Sequence, residues 1–166
     1  ICHCPFSNCG KAVPDTPSLL KRGIPVGLGT DGAAHGGLSI WNEMKIFRSV
    51  MNVTHGAPLA EPAVMPAKKI LDIAVKGGAA CLGEEPATIA VGKRADLIGI
   101  DMDAPHLWIH GKISNTLLES VGAGDVKDMI VGGRFLMRNR EILTLDEEKI
   151  RSGALAFEKG ESRWSI

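Results

Sequence analysis

Asp31 stands where α/β proteins place functional residues. It follows the apolar segment 24–29, which has the composition of a buried parallel strand. Polar loops at the carboxyl ends of such strands hold the active sites of these folds. Gly29 and Gly32 beside it permit close approach of a ligand or of backbone. An aspartate after a strand is also a common turn former or helix cap, so both interpretations stay open on position alone.

A second group of reactive side chains lies at the start of the sequence. Cys2, Cys4 and Cys9 are close together, and His3 stands between the first two. Such a group suggests a zinc site with these side chains as ligands, but the paired C-x2-4-C spacing of zinc sites is absent. In an extended segment Cys2, His3 and Cys4 would also point to alternating faces. A disulfide framework is disfavoured because a domain of this size and apolar content does not need one.

Composition restricts the class of protein. The 166 residues are 45% hydrophobic and 23% charged, which is typical of a soluble globular domain. Lysine plus arginine and aspartate plus glutamate both number 19, so no net charge favours nucleic acid or an anionic membrane as partner. No apolar run approaches the roughly 20 residues of a membrane-spanning helix, and no signal peptide is recognisable. We therefore expect a cytoplasmic protein.

The elements that would position Asp31 form a βαβ unit. An extended segment at 1–5 is followed by a polar loop, by a helix that Thr16 could cap, and by the strand at 24–29. Apolar residues at helical spacing predict an amphipathic helix at 38–51, after which 53–65 should be a loop. Two further helices are predicted, one at 67–82 that is interrupted or kinked at Gly77 and Gly78, and one at 146–159. The predicted strands are 88–91, 95–101, 128–131, 134–137 and 141–145, with a hairpin turn at Gly132 and Gly133.

Several segments, in order along the chain, resemble one enzyme family. Residues 3–8 are similar to an H-x-P-x-S-N motif, and residues 17–32 to a helix followed by a G-[IV]-x-V turn and a G-[TS]-D ending. Further matches are Asn42, Glu43 and Met44 and the segments 79–83, 89–97 and 126–134. Together they resemble the C-terminal portion of an amidohydrolase-superfamily metal-dependent hydrolase, in the branch of nucleoside and nucleobase deaminases and triazine chlorohydrolases. The resemblance covers nearly the whole chain.

The resemblance implies an α/β fold with a defined domain organisation. Residues 1–84 would be the C-terminal part of a TIM-type (β/α)8 barrel, comprising its last two strands and helices. Residues 85–145 would form part of a small β-sandwich domain. Residues 146–166 would be a C-terminal helix and tail.

The resemblance also implies roles for individual residues. Asp31 matches the aspartate at the end of the eighth strand, which in this family ligates the catalytic metal and shuttles protons. His3 matches a residue at the end of the seventh strand that lies near the substrate pocket, so it would be substrate-binding. Ser7 and Asn8 are expected to organise their loop, and the role of His35 stays open. The implied cofactor is a divalent metal, with zinc expected and iron as the alternative.

The implied activity is hydrolysis of a C–N bond in a cyclic amidine, such as a purine derivative or a triazine. An activated water would attack the amidine carbon, and Asp31 would take and return the proton. Ammonia or another leaving group would depart. The partner in this reaction is a small-molecule substrate.

The sequence departs from the family in its metal ligands. The family takes two ligands from an H-x-H motif on the first strand and further histidines from the fifth and sixth strands, whereas His55, His106 and His110 follow the last barrel strand here. One aspartate cannot hold a catalytic zinc. We therefore expect the chain to need the missing N-terminal barrel portion and to be inactive alone. Open strand edges also favour association, which makes a homo-oligomer one expectation. The alternative function is a non-catalytic binding or assembly module.

Overall fold

The structure, a computed structural model, describes residues 1–32, 37–61, 64–85, 87–109 and 111–160. It is a mixed α/β chain that divides into two compact units. The first unit contains residues 1–93 and 102–125, and the second contains residues 94–101 and 126–166. Residues 102–125 thus pack with the first unit, and the predicted domain limits at 84 and 145 stay a prediction.

The first unit begins with the predicted βαβ arrangement. Strands β1 (Cys2–His3) and β2 (Gly27–Leu28) pair in parallel, with His3 opposite Leu28. Helices α1 (Pro5–Asn8) and α2 (Thr16–Lys21) lie between them in sequence. The prediction is confirmed, although only these few residues pair as strands. Because β1 and β2 are parallel, the residues that follow them emerge at the same edge of the sheet.

Helix α3 (Ile40–Met51) covers this strand pair. Ser39 caps its first turn by accepting a hydrogen bond from the Asn42 amide at 3.3 Å. The helix buries side chains three or four residues apart, which confirms the amphipathic helix predicted there. The remaining helical segments of this unit are a π-helical turn at Asn52–Gly56, a 3-10 turn at Ala57–Leu59, α4 (Ala67–Asp72), a π-helical segment at Ile73–Gly77, α5 (Gly78–Cys81), a 3-10 turn at Pro105–Leu107, α6 (Ile113–Glu119) and a 3-10 turn at Ala123–Asp125.

The hydrophobic core of the first unit is shared by β2, α3, α4 and α6. Its buried members are Val26, Leu28, Met44, Phe47, Met51, Met65, Ala67, Ile70, Ile73 and Leu118. None of the described helices is long and apolar enough to cross a lipid bilayer.

The segment from α4 to α5 packs its backbone directly on β2. A methyl group at Gly77 would lie 1.9 Å from the Val26 carbonyl oxygen, although Gly77 has ordinary helical dihedral angles. The glycine is therefore required for space and not for conformation. The sequence predicts an interruption or a kink at Gly77 and Gly78. The chain stays helical there, and a π-helical segment ends at Gly77.

The second unit is a four-stranded antiparallel sheet with one helix. Its strands are adjacent in sequence order, β3 (Leu97–Ile100), β4 (Val126–Val131), β5 (Arg134–Arg138) and β6 (Glu141–Ile142), and α7 (Glu147–Glu158) follows. The hairpin predicted at Gly132 and Gly133 is confirmed. Both glycines have positive φ, 56° and 79°, as a tight two-residue turn requires.

The prediction of a strand at 88–91 is wrong. These residues belong to the first unit and form no strand, and the side chains of Ile89 and Val91 are exposed. Alternating apolar residues form a strand only when a neighbouring strand takes their backbone hydrogen bonds. The described part of the first unit supplies no such partner to this segment.

Asp96 holds the hairpin turn of the second unit and makes its stability depend on pH. Its Oδ1 accepts a hydrogen bond from the Gly132 amide at 2.7 Å. That bond, and next the Arg94 side chain, lower the pKa of Asp96 against the opposing effect of burial. A lowered folded-state pKa stabilises the fold above the unfolded pKa of about 3.9, and this contribution is lost as the pH falls through the folded-state value.

For this reason we expect the protection factor of the Gly132 amide, the slowing of its exchange relative to the intrinsic rate at the same pH, to fall below about pH 4. The Asp96→Asn variant should show weaker protection at neutral pH and lose the acid-dependent part of the change. An acid response equal to that of the parent protein would contradict this role of Asp96.

Candidate functional site

Asp31 follows β2 in an unusual backbone conformation. Its φ is 54°, in the left-handed region that non-glycine residues seldom adopt and that aspartate tolerates better than most. Its side chain is exposed. A residue held in such a conformation is a reason to look for function, because the surrounding structure must maintain it.

The Asp31 carboxylate is held by a residue far away in sequence. The Ser7 hydroxyl donates a hydrogen bond to Asp31 Oδ2 at 2.6 Å across a separation of 24 residues. Ser7 is buried, with 4% of its surface exposed, and lies in α1 directly after β1. The length is that of a charge-assisted bond between a hydroxyl and a carboxylate. Asp31 is therefore more than a local turn former, because its side chain joins the ends of the two parallel strands.

The turn that carries Ser7 is fixed from two sides. Asn8 Oδ1 accepts from the Cys4 amide at 3.3 Å, and the Asn8 amide donates to the Cys4 carbonyl at 2.9 Å. From α3, Glu43 Oε2 accepts from the Phe6 amide at 2.9 Å. The segments that resemble the family include Ser7, Asn8 and Glu43. Their spacing in the sequence does not predict the contact of Ser7 with Asp31 or that of Glu43 with the turn.

His3 lies in the protein interior. Only 1% of it is exposed, its Nδ1 is 3.4 Å from Thr16 Oγ1, and its ring meets Phe47 edge-on with centroids 5.4 Å apart. Burial lowers the pKa of His3, so the neutral imidazole is favoured. The structure thus gives His3 packing partners in α2 and α3. Its predicted contact with substrate stays a prediction.

Cys2 and Cys4 lie together beside Gly29. A methyl group at Gly29 would come within 2.7 Å of Cys2 Sγ and 3.1 Å of Cys4 Sγ, so this glycine makes room for the two sulfurs. Burial raises the pKa of the Cys4 thiol, and the charge of Cys2 and a hydrogen bond with it raise it further. A raised pKa favours the neutral thiol of Cys4, which is a weaker nucleophile than the thiolate.

The described residues contain no group of three or more histidine, cysteine, aspartate or glutamate side chains arranged to hold a metal ion. His3 is buried against Phe47. His106 lies 3.2 Å from Asp125, and His35 and His110 fall outside the described residues. Because a zinc site needs three or four protein ligands, Asp31 and the other described residues do not make up such a site, and the predicted role of Asp31 as a ligand stays a prediction.

Curated relatives match most of this chain. It is 35% identical over 153 residues to the 5'-deoxyadenosine deaminase of Methanosarcina mazei, a match that covers 90% of this chain and 34% of the relative. It is 38% identical over 154 residues to the 5-methylthioadenosine/S-adenosylhomocysteine deaminase of Dictyoglomus thermophilum, which covers 90% of this chain and 35% of that one. The chain thus spans about a third of the length of these relatives.

Solved structures of longer proteins share the fold. A zinc-bound adenosine deaminase from Xanthomonas campestris superposes with a TM-score of 0.86 at 24% identity, over 96% of this chain and 37% of that one. An atrazine chlorohydrolase from Arthrobacter aurescens, complexed with zinc, gives 0.77 at 24% identity, over 94% and 35%. The model of the amidohydrolase family matches residues 1–136. This match extends over most of the chain, including β1, β2 and Asp31, and shows that the chain belongs to the amidohydrolase family.

Proposed function

We propose that this chain contributes the proton-transferring aspartate of a zinc-dependent hydrolase that removes the amino group of a purine nucleoside. The observation that carries the proposal is the Ser7–Asp31 hydrogen bond, which orients a carboxylate at the ends of two parallel strands. The two deaminases described above, which act on adenosine derivatives by name, support the substrate class. We place the remaining metal ligands in a barrel portion that this chain does not contain.

In this proposal β1 and β2 are the last two strands of a (β/α)8 barrel, and β3 to β6 are part of a small β-sandwich. One observation supports the second assignment. No hydrophobic side chain in the described part of the second unit is fully buried, and several on its strands are well exposed, such as Ile98, Val131 and Phe135. A second sheet from the remaining portion would cover them.

Bound zinc would supply a nucleophile near neutral pH by lowering the pKa of a water. Asp31 would accept a proton from the attacking water while the water oxygen bonds to the ring carbon. It would then give that proton to the amino nitrogen as the C–N bond breaks, so that ammonia leaves. Ser7 would restrain rotation of the carboxylate through its bond to Oδ2, which keeps the proton acceptor aligned.

The test uses the intact protein in which this chain is joined to the remaining ligands. We expect about one zinc per chain by elemental analysis. We also expect release of ammonia from 5'-deoxyadenosine, 5'-methylthioadenosine or adenosine, lost on chelation and restored by zinc. Atrazine serves as the comparison substrate and should react more slowly. A zinc-loaded protein that hydrolyses none of the nucleosides would refute the substrate class, and an intact protein that binds no divalent metal would refute the function.

A further inference from the structure

We propose that Glu43 is a positioning residue for Asp31, acting through the α1 turn and Ser7. The proposal rests on the function given above, because it concerns the orientation of the same carboxylate. Glu43 is on the helix that follows Asp31, and its side chain reaches back to the turn that follows β1. It would therefore touch neither substrate nor metal.

The environment of Glu43 is unusual for a carboxylate. It is 2% exposed and lies among core residues of α3, yet its side-chain partner is the Phe6 backbone amide. No ion pair among the described residues involves it. A buried carboxylate without a cation is unfavourable unless hydrogen bonds compensate it. An apolar side chain would pack there more simply, so the carboxylate points to a role beyond packing.

The Phe6 amide is a donor that the turn itself cannot satisfy. Helix α1 has four residues, and the amides of a first helical turn have no partner within the helix. Glu43 supplies that acceptor from outside and so fixes the turn one residue before Ser7. One helical turn further along α3, Phe47 packs on His3 at the end of β1. Helix α3 thus holds both the strand end and the turn that follows it.

These contacts close a ring around Asp31. Leu28, three residues before Asp31, belongs to the same core cluster as Phe47 of α3, which holds the end of β2 on that helix. Glu43 of the helix binds the Phe6 amide, and the neighbouring Ser7 hydroxyl binds Asp31 Oδ2. A shift of the turn relative to α3 would therefore lengthen the Ser7–Asp31 bond. Removing the Glu43 acceptor should have the same effect on Asp31 as removing the Ser7 hydroxyl.

The experiment is a double-mutant cycle in the intact, zinc-loaded protein. Glu43→Met removes the acceptor at similar volume, and Ser7→Ala removes the hydroxyl. We expect each to lower kcat and zinc affinity by about 10- to 100-fold with little change in KM. The double variant should be no worse than the poorer single variant, because both changes break the same link. Zinc affinity is measured by chelator competition. Hydrogen exchange at the Phe6 amide should accelerate in Glu43→Met but not in Ser7→Ala.

Two further variants keep the proposal open to refutation. Glu43→Gln retains an oxygen that can accept the hydrogen bond, so its kcat should be close to that of the parent protein. Glu43→Asp is one methylene too short to reach the Phe6 amide and should resemble Ser7→Ala. This variant tests the proposal even if Glu43→Met does not fold. Met44→Leu, a core change on the same helix, is the control and should leave kcat unchanged. Parental kcat and zinc affinity in folded Glu43→Asp would overturn the role of Glu43. So would fully additive losses in the cycle. Neither result would affect the proposed deaminase activity, which the parent protein tests by itself.

Discussion

Replacing Asp31 by asparagine in the intact protein should abolish hydrolysis while leaving the fold in place. Asparagine is among the few residues that accept the left-handed φ of 54° found here, so the backbone should be preserved. Its amide can neither accept a proton from water nor bind zinc as an anion. We expect kcat to fall at least about 1,000-fold, within the range of lost general acid–base catalysis, with a parallel loss of zinc affinity. Steady-state ammonia release and chelator competition measure the two effects.

Asp72→Asn is the matched control for this substitution. Asp72 is a surface carboxylate on α4, paired with Lys68 and Lys76, so its loss removes the same charge elsewhere on the protein. The control should keep near-parental kcat, because pairs of this exposed kind contribute little. Near-parental turnover by Asp31→Asn itself would show that the carboxylate does not take part in the reaction.

Gly77→Ala should be strongly destabilising. The added methyl group would lie 1.9 Å from the Val26 carbonyl oxygen, and its nearest neighbours are all backbone atoms of Val26 and Gly27, so no flexible side chain can move aside. Overpacking of this kind typically costs about 1 to 3 kcal/mol, and we expect the upper end because the obstacle is main chain. Urea unfolding followed by circular dichroism measures the change in free energy of unfolding.

The adjacent glycine provides the control. A methyl group at Gly78 would meet no atom within 4 Å, and its dihedral angles are helical. Gly78→Ala should therefore be neutral or stabilise by up to about 1 kcal/mol, the helix propensity difference between the two residues. Equal stability of the two variants would show that the segment does not pack on β2 as closely as described.

Local patterns predict local structure in this chain. The hairpin at Gly132 and Gly133 follows from two adjacent residues that accept positive φ, and the helix over 40–51 from the spacing of its apolar residues. The cap of α2 was displaced by one residue. The sequence predicts Thr16 as the cap, but Asp15 accepts a hydrogen bond from the Ser18 amide and Thr16 faces His3. Both residues can cap, so tertiary contacts decide between them.

The candidate site was only partly predictable for a similar reason. The place of Asp31 follows from the strand and glycines next to it, which are local signals. Its contact with Ser7 spans 24 residues, and that between Glu43 and Phe6 spans 37. Contacts over such distances depend on how β1, β2 and α3 pack, and no spacing rule contains that information. The burial of His3 could not be predicted for the same reason, because its neighbours Cys2 and Cys4 do not indicate which face of the strand packs against the core.

The backbone conformation of Asp31 and its bond with Ser7 have opposite effects on stability. Glycine would adopt a φ of 54° without the roughly 1 kcal/mol that a side chain adds there. Glycine would also leave the buried Ser7 hydroxyl without its acceptor at Asp31 Oδ2, which costs about 1 to 3 kcal/mol, so selection for heat tolerance alone would retain the carboxylate. A library screened for heat tolerance should accordingly keep a hydrogen-bond acceptor at position 31, even where turnover is not selected.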